Sequence, residues 1–304
     1  MSFFRFKKRS IFLFILVCLG FCGYFFTGIF QLDKIDDRDL NYWVYGNDEI
    51  ILNSSAFELK GDDDVCWFLI HSFCSTPDEM RSLAQKVNGE FNDTVFVSKL
   101  LGHGEVPSKI INLSLDDWYL QVFREFDNLS SGCNKVNVVG SSFGGALALK
   151  LAEEKKINNL FLLNAYIKPV KGWYYFSFDS NDVLGFFSPL IHYFKKLEVA
   201  KINDPVGLES HVAYYNFPLS SVFNSKDFLN GMIKNFSLID ENVLVLHSVN
   251  DEVASFFAIK NMFESVSSEN KKIVVLNKSN HILLRDYDSG RVIDEIISFE
   301  KIFG

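Results

Sequence analysis

Gly140-Ser141-Ser142-Phe143-Gly144 spells G-x-S-x-G. An apolar run from Lys135 to Val139 leads into it, and a small-residue run from Gly144 to Leu149 follows. Strand, sharp turn and helix form the setting in which a serine hydroxyl is held out as a nucleophile. Glycines at 140, 144 and 145 suit that turn, where a Cβ would clash. The N–H of Phe143, at the positive end of the new helix, is placed to meet the oxyanion formed when Ser142 attacks a carbonyl. A serine hydroxyl is a poor nucleophile until a base takes its proton, and the base needs an orienting acid. Asp251 lies just past the apolar run Val243–His247. That position is the carboxyl edge of a parallel sheet, where active sites form. Glu252 is the alternate acid. Of the six histidines, His281 is the one that follows the last apolar run, Lys272–Leu276. Without its context, G-x-S-x-G is also compatible with an ordinary glycine–serine turn.

Elements must position these groups. The runs Val65–Ile70, Thr94–Leu101, Lys135–Val139 and Val243–His247 read as buried strands, Asn159–Asn164 as another apolar strand and Lys272–Leu276 as the last strand. Pro77–Asn88 and a stretch opening at Asp116-Asp117 read as helices, and a final helix is predicted over Ser289–Phe303. Glu49–Lys60 reads as a short hairpin, and Asp62-Asp63-Asp64 as a solvated turn. From about 166 to 232 the strand–helix rhythm breaks. This stretch is rich in Trp, Tyr and Phe and holds Pro169, Pro189, Pro205 and Pro218.

The strand at Val65–Ile70 runs into His71-Ser72-Phe73-Cys74-Ser75-Thr76-Pro77-Asp78-Glu79-Met80. This stretch resembles the H-G-F-T-G-S-P-x-E-M loop of carboxylesterases and monoacylglycerol-lipase-like members of the α/β-hydrolase superfamily. Leu101-Gly102-His103-Gly104 is similar to the L-x-G-H-G loop of the same family. Asp117-Trp118 stands where the family has D-W, Asp251 matches its D-x-V position, and His281 matches the histidine of S-x-H. The resemblance runs from about Asp48 to the C-terminus. It implies an α/β-hydrolase fold, with a mostly parallel sheet flanked by helices and a helical cap insertion over about 166–232. It also implies a Ser142–Asp251–His281 triad and a second oxyanion N–H from Phe73. The implied activity is that of a serine carboxylesterase or lipase acting on acyl esters. No cofactor and no metal are expected. Ser72 departs from the family's glycine; if that position needs a glycine-only backbone angle, the oxyanion hole is altered. His71 and His103 read as loop-shaping residues.

The first ten residues carry Arg5, Lys7, Lys8 and Arg9, and Ile11–Phe30 is free of charge. A run of about 20 residues spans roughly 30 Å as a helix, the thickness of a bilayer core. The excess of positive charge before it predicts a cytoplasmic tail over 1–10, a membrane anchor over 11–30, a linker over 31–47 and an exported hydrolase domain over 48–304. A cleaved signal peptide is the alternative. The net charge of −8 argues against a nucleic-acid partner. Cys66, Cys74 and Cys133 are an odd set, too few for a disulfide framework. Two other functions fit the fold: an S33-type aminopeptidase, and a non-catalytic α/β-hydrolase domain used as a binding module.

Overall fold

A computed structural model of the protein describes residues 20, 30–31, 37–170, 193–196 and 198–304. Ten strands follow in chain order: β1 (Phe30–Gln31), β2 (Phe57–Leu59), β3 (Asp62–Ile70), β4 (Asp93–Ser98), β5 (Lys135–Ser141), β6 (Asn159–Leu163), β7 (Tyr193–Lys195), β8 (Asn216–Pro218), β9 (Asn242–Ser248) and β10 (Lys271–Leu276). Seven of them form the central sheet, in the order β10-β9-β6-β5-β3-β4-β2. Every pairing in it is parallel except β2 with β4, which is antiparallel.

Successive side chains of a strand point to opposite faces. Cys66, Phe68 and Ile70 of β3 therefore join one core layer, together with Val138, Leu160 and Val245. Trp67 and Leu69 join the other, together with Val139, Phe161 and Leu244. The first layer is closed by the helices Leu115–Ser130, Phe143–Glu154 and Phe256–Ser265. The second is closed by Arg81–Phe91 and Ser289–Phe303, through Leu83, Val87, Val292, Ile296 and Phe299. Burial on both faces is why these strands read as unbroken apolar runs.

Several local expectations change. The stretch 49–60 is not a hairpin: Tyr45 bridges Ile51, and Phe57–Leu59 pairs with β4. Asp62–Asp64 is the exposed start of β3, not a turn. The helix expected from Pro77 is a 3-10 turn, Pro77–Met80, followed by Arg81–Phe91. The acidic pair at 116–117 does mark a helix start, since the Asp117 carboxylate accepts from the N–H and the hydroxyl of Ser114, both at 2.9 Å.

The insertion expected to be helical holds the short helices Pro205–Ser210, Leu219–Asn224 and Lys226–Met232, and also strands. These strands form a small antiparallel sheet, β1-β7-β8, to which the chain ahead of the domain contributes β1. Within the stretch read as a linker, Asp37–Tyr42 forms a helix. The cysteine reading is corrected too, for Cys66 and Cys133 form a disulfide, with Cα atoms 6.0 Å apart. Cys133 lies just ahead of β5, which runs beside β3, so two cysteines distant in sequence become neighbours. The expected anchor, Ile11–Phe30, lies outside the described residues apart from Gly20 and Phe30, as does most of the aromatic stretch 171–192. Among the described residues, no helix is long and apolar enough to cross a membrane.

Candidate active site

Ser142 sits between β5 and the helix Phe143–Glu154, with φ 52° and ψ −117°. A serine in this left-handed region costs on the order of 1–3 kcal/mol, held only where the surroundings insist on it. Here the Ser142 N–H donates to the Leu163 carbonyl at 3.0 Å, and the Ser142 carbonyl accepts from Tyr166 N–H at 2.9 Å. The turn also needs its glycines, since a Cβ on Gly144 would overlap the Ile70 carbonyl oxygen and one on Gly140 the Gly144 carbonyl.

The Ser142 hydroxyl oxygen lies 2.8 Å from His281 Nε2. His281 Nδ1 lies 2.8 and 3.0 Å from the two oxygens of Asp251. The three groups are nearly buried, at 4, 6 and 7% exposure. Burial alone would raise the Asp251 carboxyl, but the His281 ring beside it and the hydrogen bond they share hold it below the usual carboxylate range. Its Oδ1 also accepts the N–H groups of Val253 and Ala254, at 2.7 and 2.9 Å. Such an acid stays ionised and fixes the imidazole with Nε2 free to take a proton. The alternate acid, Glu252, points elsewhere and pairs with Lys201 at 3.1 Å.

Known proteins carry the same arrangement of elements. A thermostable monoacylglycerol lipase from Bacillus sp. (strain H-257) is 25% identical over 238 residues, covering 76% of this chain and 88% of the relative. A carboxylesterase from Bacillus subtilis (strain 168) is 21% identical over 257 residues, covering 83% of this chain and 98% of the relative. Among solved structures, a metagenome-derived lipolytic enzyme superposes with a TM-score of 0.72 at 18% identity, covering 83% of this chain and 99% of its own. No family model matches the chain. The chain has the α/β-hydrolase fold.

Some residues that hold the site together were not evident in the sequence. Asn164 is one. It ends β6 with φ 42°, a region asparagine tolerates better than most residues. Its Oδ1 accepts from Ser248 N–H at 2.8 Å, and its Nδ2 donates to the carbonyls of Asn280 and His281 at 2.9 and 2.8 Å. One buried amide thus ties the strand leading to Asp251 to the loop carrying His281. The signal was present as a polar residue at the carboxyl end of a central parallel strand. The carboxylates of Asp286 and Asp288 brace the same loop, accepting from Asn280 N–H at 2.7 Å and from Ser279 N–H at 2.9 Å. His247 lies beside Asp251 with Nε2 3.2 Å from the Ala254 carbonyl, and burial lowers it to about 4, so it is neutral.

Phe73 and Phe143, the two expected oxyanion donors, stack their rings with centroids 5.2 Å apart. Trp118 lies 5.4 Å from Phe73, and Tyr166 lies 4.7 Å from Phe143, so the four rings form one aromatic cluster. The strain feared at Ser72 does not arise. The left-handed residue of this loop is Cys74, with φ 60°, and Ser72 is not in that region. The Ser72 side chain has its own use, its hydroxyl and N–H both donating to the buried Glu79 carboxylate, at 2.5 and 3.2 Å. His71 and His103 shape the loop as expected. Each accepts a backbone N–H at Nε2, from Leu100 at 3.2 Å and from Cys74 at 3.1 Å, and burial keeps both neutral.

A groove of about 400 Å³ lies beyond Tyr166, lined by Ile167, Leu229, Ile233, Phe236 and Met262; Ser142, Asp251 and His281 do not line it. Among the described residues, one group brings three metal-type ligands together, namely Asp63, Cys66 and Cys133. Its sulfurs are bonded to each other, so it offers no thiolate.

Proposed function

We propose that this hydrolase is a membrane-anchored serine esterase that cleaves apolar acyl esters through Ser142, His281 and Asp251. The observation that carries the reading is the hydrogen-bonded line from the Ser142 hydroxyl through His281 to Asp251, at the one serine held left-handed among the described residues. Ser142 attacks the ester carbonyl while His281 Nε2 takes its proton. Asp251 holds the other ring nitrogen and stabilises the imidazolium. The backbone N–H groups of Phe143 and Phe73 are the donors for the oxyanion. His281 then returns the proton to the departing alcohol, leaving an acyl-enzyme on Ser142. Water, deprotonated by the same ring, releases the acid. The similarity to a monoacylglycerol lipase and a carboxylesterase supports an ester over a peptide substrate.

The aromatic cluster around Phe143, next to Ser142 in sequence, supports an apolar acyl group. Each methylene buried there should add up to about 0.8 kcal/mol, roughly fourfold in kcat/KM, until the pocket is full. Measured from acetyl to lauroyl p-nitrophenyl esters, kcat/KM is expected to climb and then level. A flat profile, or one highest at acetate, would remove the acyl-pocket reading and leave the triad untouched.

The anchor reading rests on the charge asymmetry around Ile11–Phe30. The Cys66–Cys133 disulfide supports export, because such bonds persist in oxidising compartments. The whole chain fused at its C-terminus to alkaline phosphatase is expected to give active phosphatase in cells. An inactive fusion, with a cytoplasm-dependent reporter active in its place, reverses the topology.

A further inference from the structure

We propose that the segment 37–45 is a built-in strap that seats the cap against the oxyanion loop, and that Asp39 is its positioning residue. The proposal rests on the reading of Ser142 and Phe73 given above, and it is independent of whether the apolar run crosses a membrane. A simple tether would be unpaired, whereas Asp39 and Trp43 of this segment are hydrogen-bonded to the cap.

The backbone of β1 adds a strand to the cap sheet, with Phe30 opposite Phe194 and Gln31 opposite Tyr193. Asp39 is fully buried. Its carboxylate accepts three hydrogen bonds from the cap: Tyr215 N–H at 2.7 Å, Asn216 N–H at 2.9 Å and Asn216 Nδ2 at 2.8 Å. Trp43 Nε1 donates to the Ala213 carbonyl at 3.1 Å, and the Tyr42 ring meets Tyr215 edge-on at 5.9 Å. Burying a carboxylate is costly unless it is fully hydrogen-bonded, so a side chain held this way locks whatever it binds. Burial raises the Asp39 carboxyl, while the Tyr215 and Asn216 N–H groups, and then the Lys196 ammonium, oppose that rise. The Cys74 thiol also lies close enough to interact with Lys196 and Asp39.

What Asp39 locks leads straight to the chemistry. The cap residue between Ala213 and Tyr215 is Tyr214, fully buried. Its N–H donates to the Cys74 carbonyl at 2.9 Å, and its hydroxyl donates to the Glu105 carbonyl at 2.6 Å. Cys74 is the left-handed residue directly after Phe73, the expected second oxyanion donor. The stretch 213–216 is therefore gripped from one side by Asp39 and Trp43. From the other side it grips the loop whose N–H must meet the developing charge.

The test uses the full-length chain in detergent, with Asp39→Ala, Asp39→Asn and Trp43→Phe variants. Three quantities are read: the rate of Ser142 labelling by a small fluorophosphonate, kcat and KM on a butyrate ester, and the thermal midpoint. Because a misplaced group can cost up to about 100-fold in rate, Asp39→Ala is expected to lose 10- to 100-fold in kcat and in labelling rate. Asp39→Asn, which keeps one acceptor oxygen, should fall between it and the parent. Trp43→Phe should lose a few-fold with its midpoint unchanged. Variants that melt earlier yet keep parental kcat and labelling rate show a merely structural role and overturn the proposal. If the Asp39 variants do not fold, parental rates in Trp43→Phe overturn it. Failure of the parent chain to label at all defeats the reading of Ser142 itself, and the strap with it.

Discussion

Ser142→Ala is expected to lower ester turnover by about 10⁶-fold and to abolish fluorophosphonate labelling, while the protein stays folded. The size follows from how the site is built. His281 Nε2 has the Ser142 hydroxyl as its partner at 2.8 Å, and the ring is fixed from behind by Asp251. Without the hydroxyl, neither the base nor the acid has anything to act on, and what remains is water near polarising N–H groups. Stability should change little. Alanine inherits the same left-handed backbone at φ 52°, so no strain is relieved, and one hydrogen bond is lost, worth about 1 kcal/mol. Purified Ser142→Ala protein that hydrolyses p-nitrophenyl butyrate within tenfold of the parent rate would show that another group is the nucleophile.

Removing the Cys66–Cys133 bond is expected to cost about 4 kcal/mol of stability, since the bond closes a loop of sequence separation 67. For a domain of this size that is on the order of a 10 °C drop in thermal midpoint. The double variant Cys66→Ala/Cys133→Ala gives the cleanest measurement, because reduction leaves a buried thiol at Cys66. Turnover at low temperature should survive. Cys66 sits in the middle of β3, whereas the oxyanion loop leaves from the end of that strand, after Ile70. Calorimetry of the double variant decides the matter, and an unchanged midpoint would mean the unfolded chain is not constrained by this link.

The strands were legible because a parallel strand covered on both faces has no polar side to interrupt its sequence. β5, β6 and β9 begin and end within two residues of their apolar runs, as does the half-exposed edge strand β10, while β3 starts three residues ahead of its run. The order Ser142, Asp251, His281 was legible because each follows a strand at the same edge of the sheet. What escaped is held together by contacts distant in sequence. Asn164 looks like any polar residue at a strand end until Ser248, Asn280 and His281 converge on it. Cys66 and Cys133 become a pair once β3 and β5 are known to be neighbours. The segment 31–47 has the composition of a connector, and its helix is fixed by Tyr215 and Asn216 of the cap, far along the chain. Ser72 looked like a fault in a glycine motif and proved to be a partner for Glu79.

The strand order also bears on how the polypeptide matures during synthesis. β5, which leads into Ser142, lies in the middle of the sheet between β3 and β6. All three emerge from the ribosome early enough to pair among themselves. The acid arrives only with β9, and the base only after β10, the outermost strand on that side. On the proposed reading of the site, a nascent chain can hold Ser142 in place before Asp251 and His281 have been made, and hydrolytic competence then waits for the C-terminal strands.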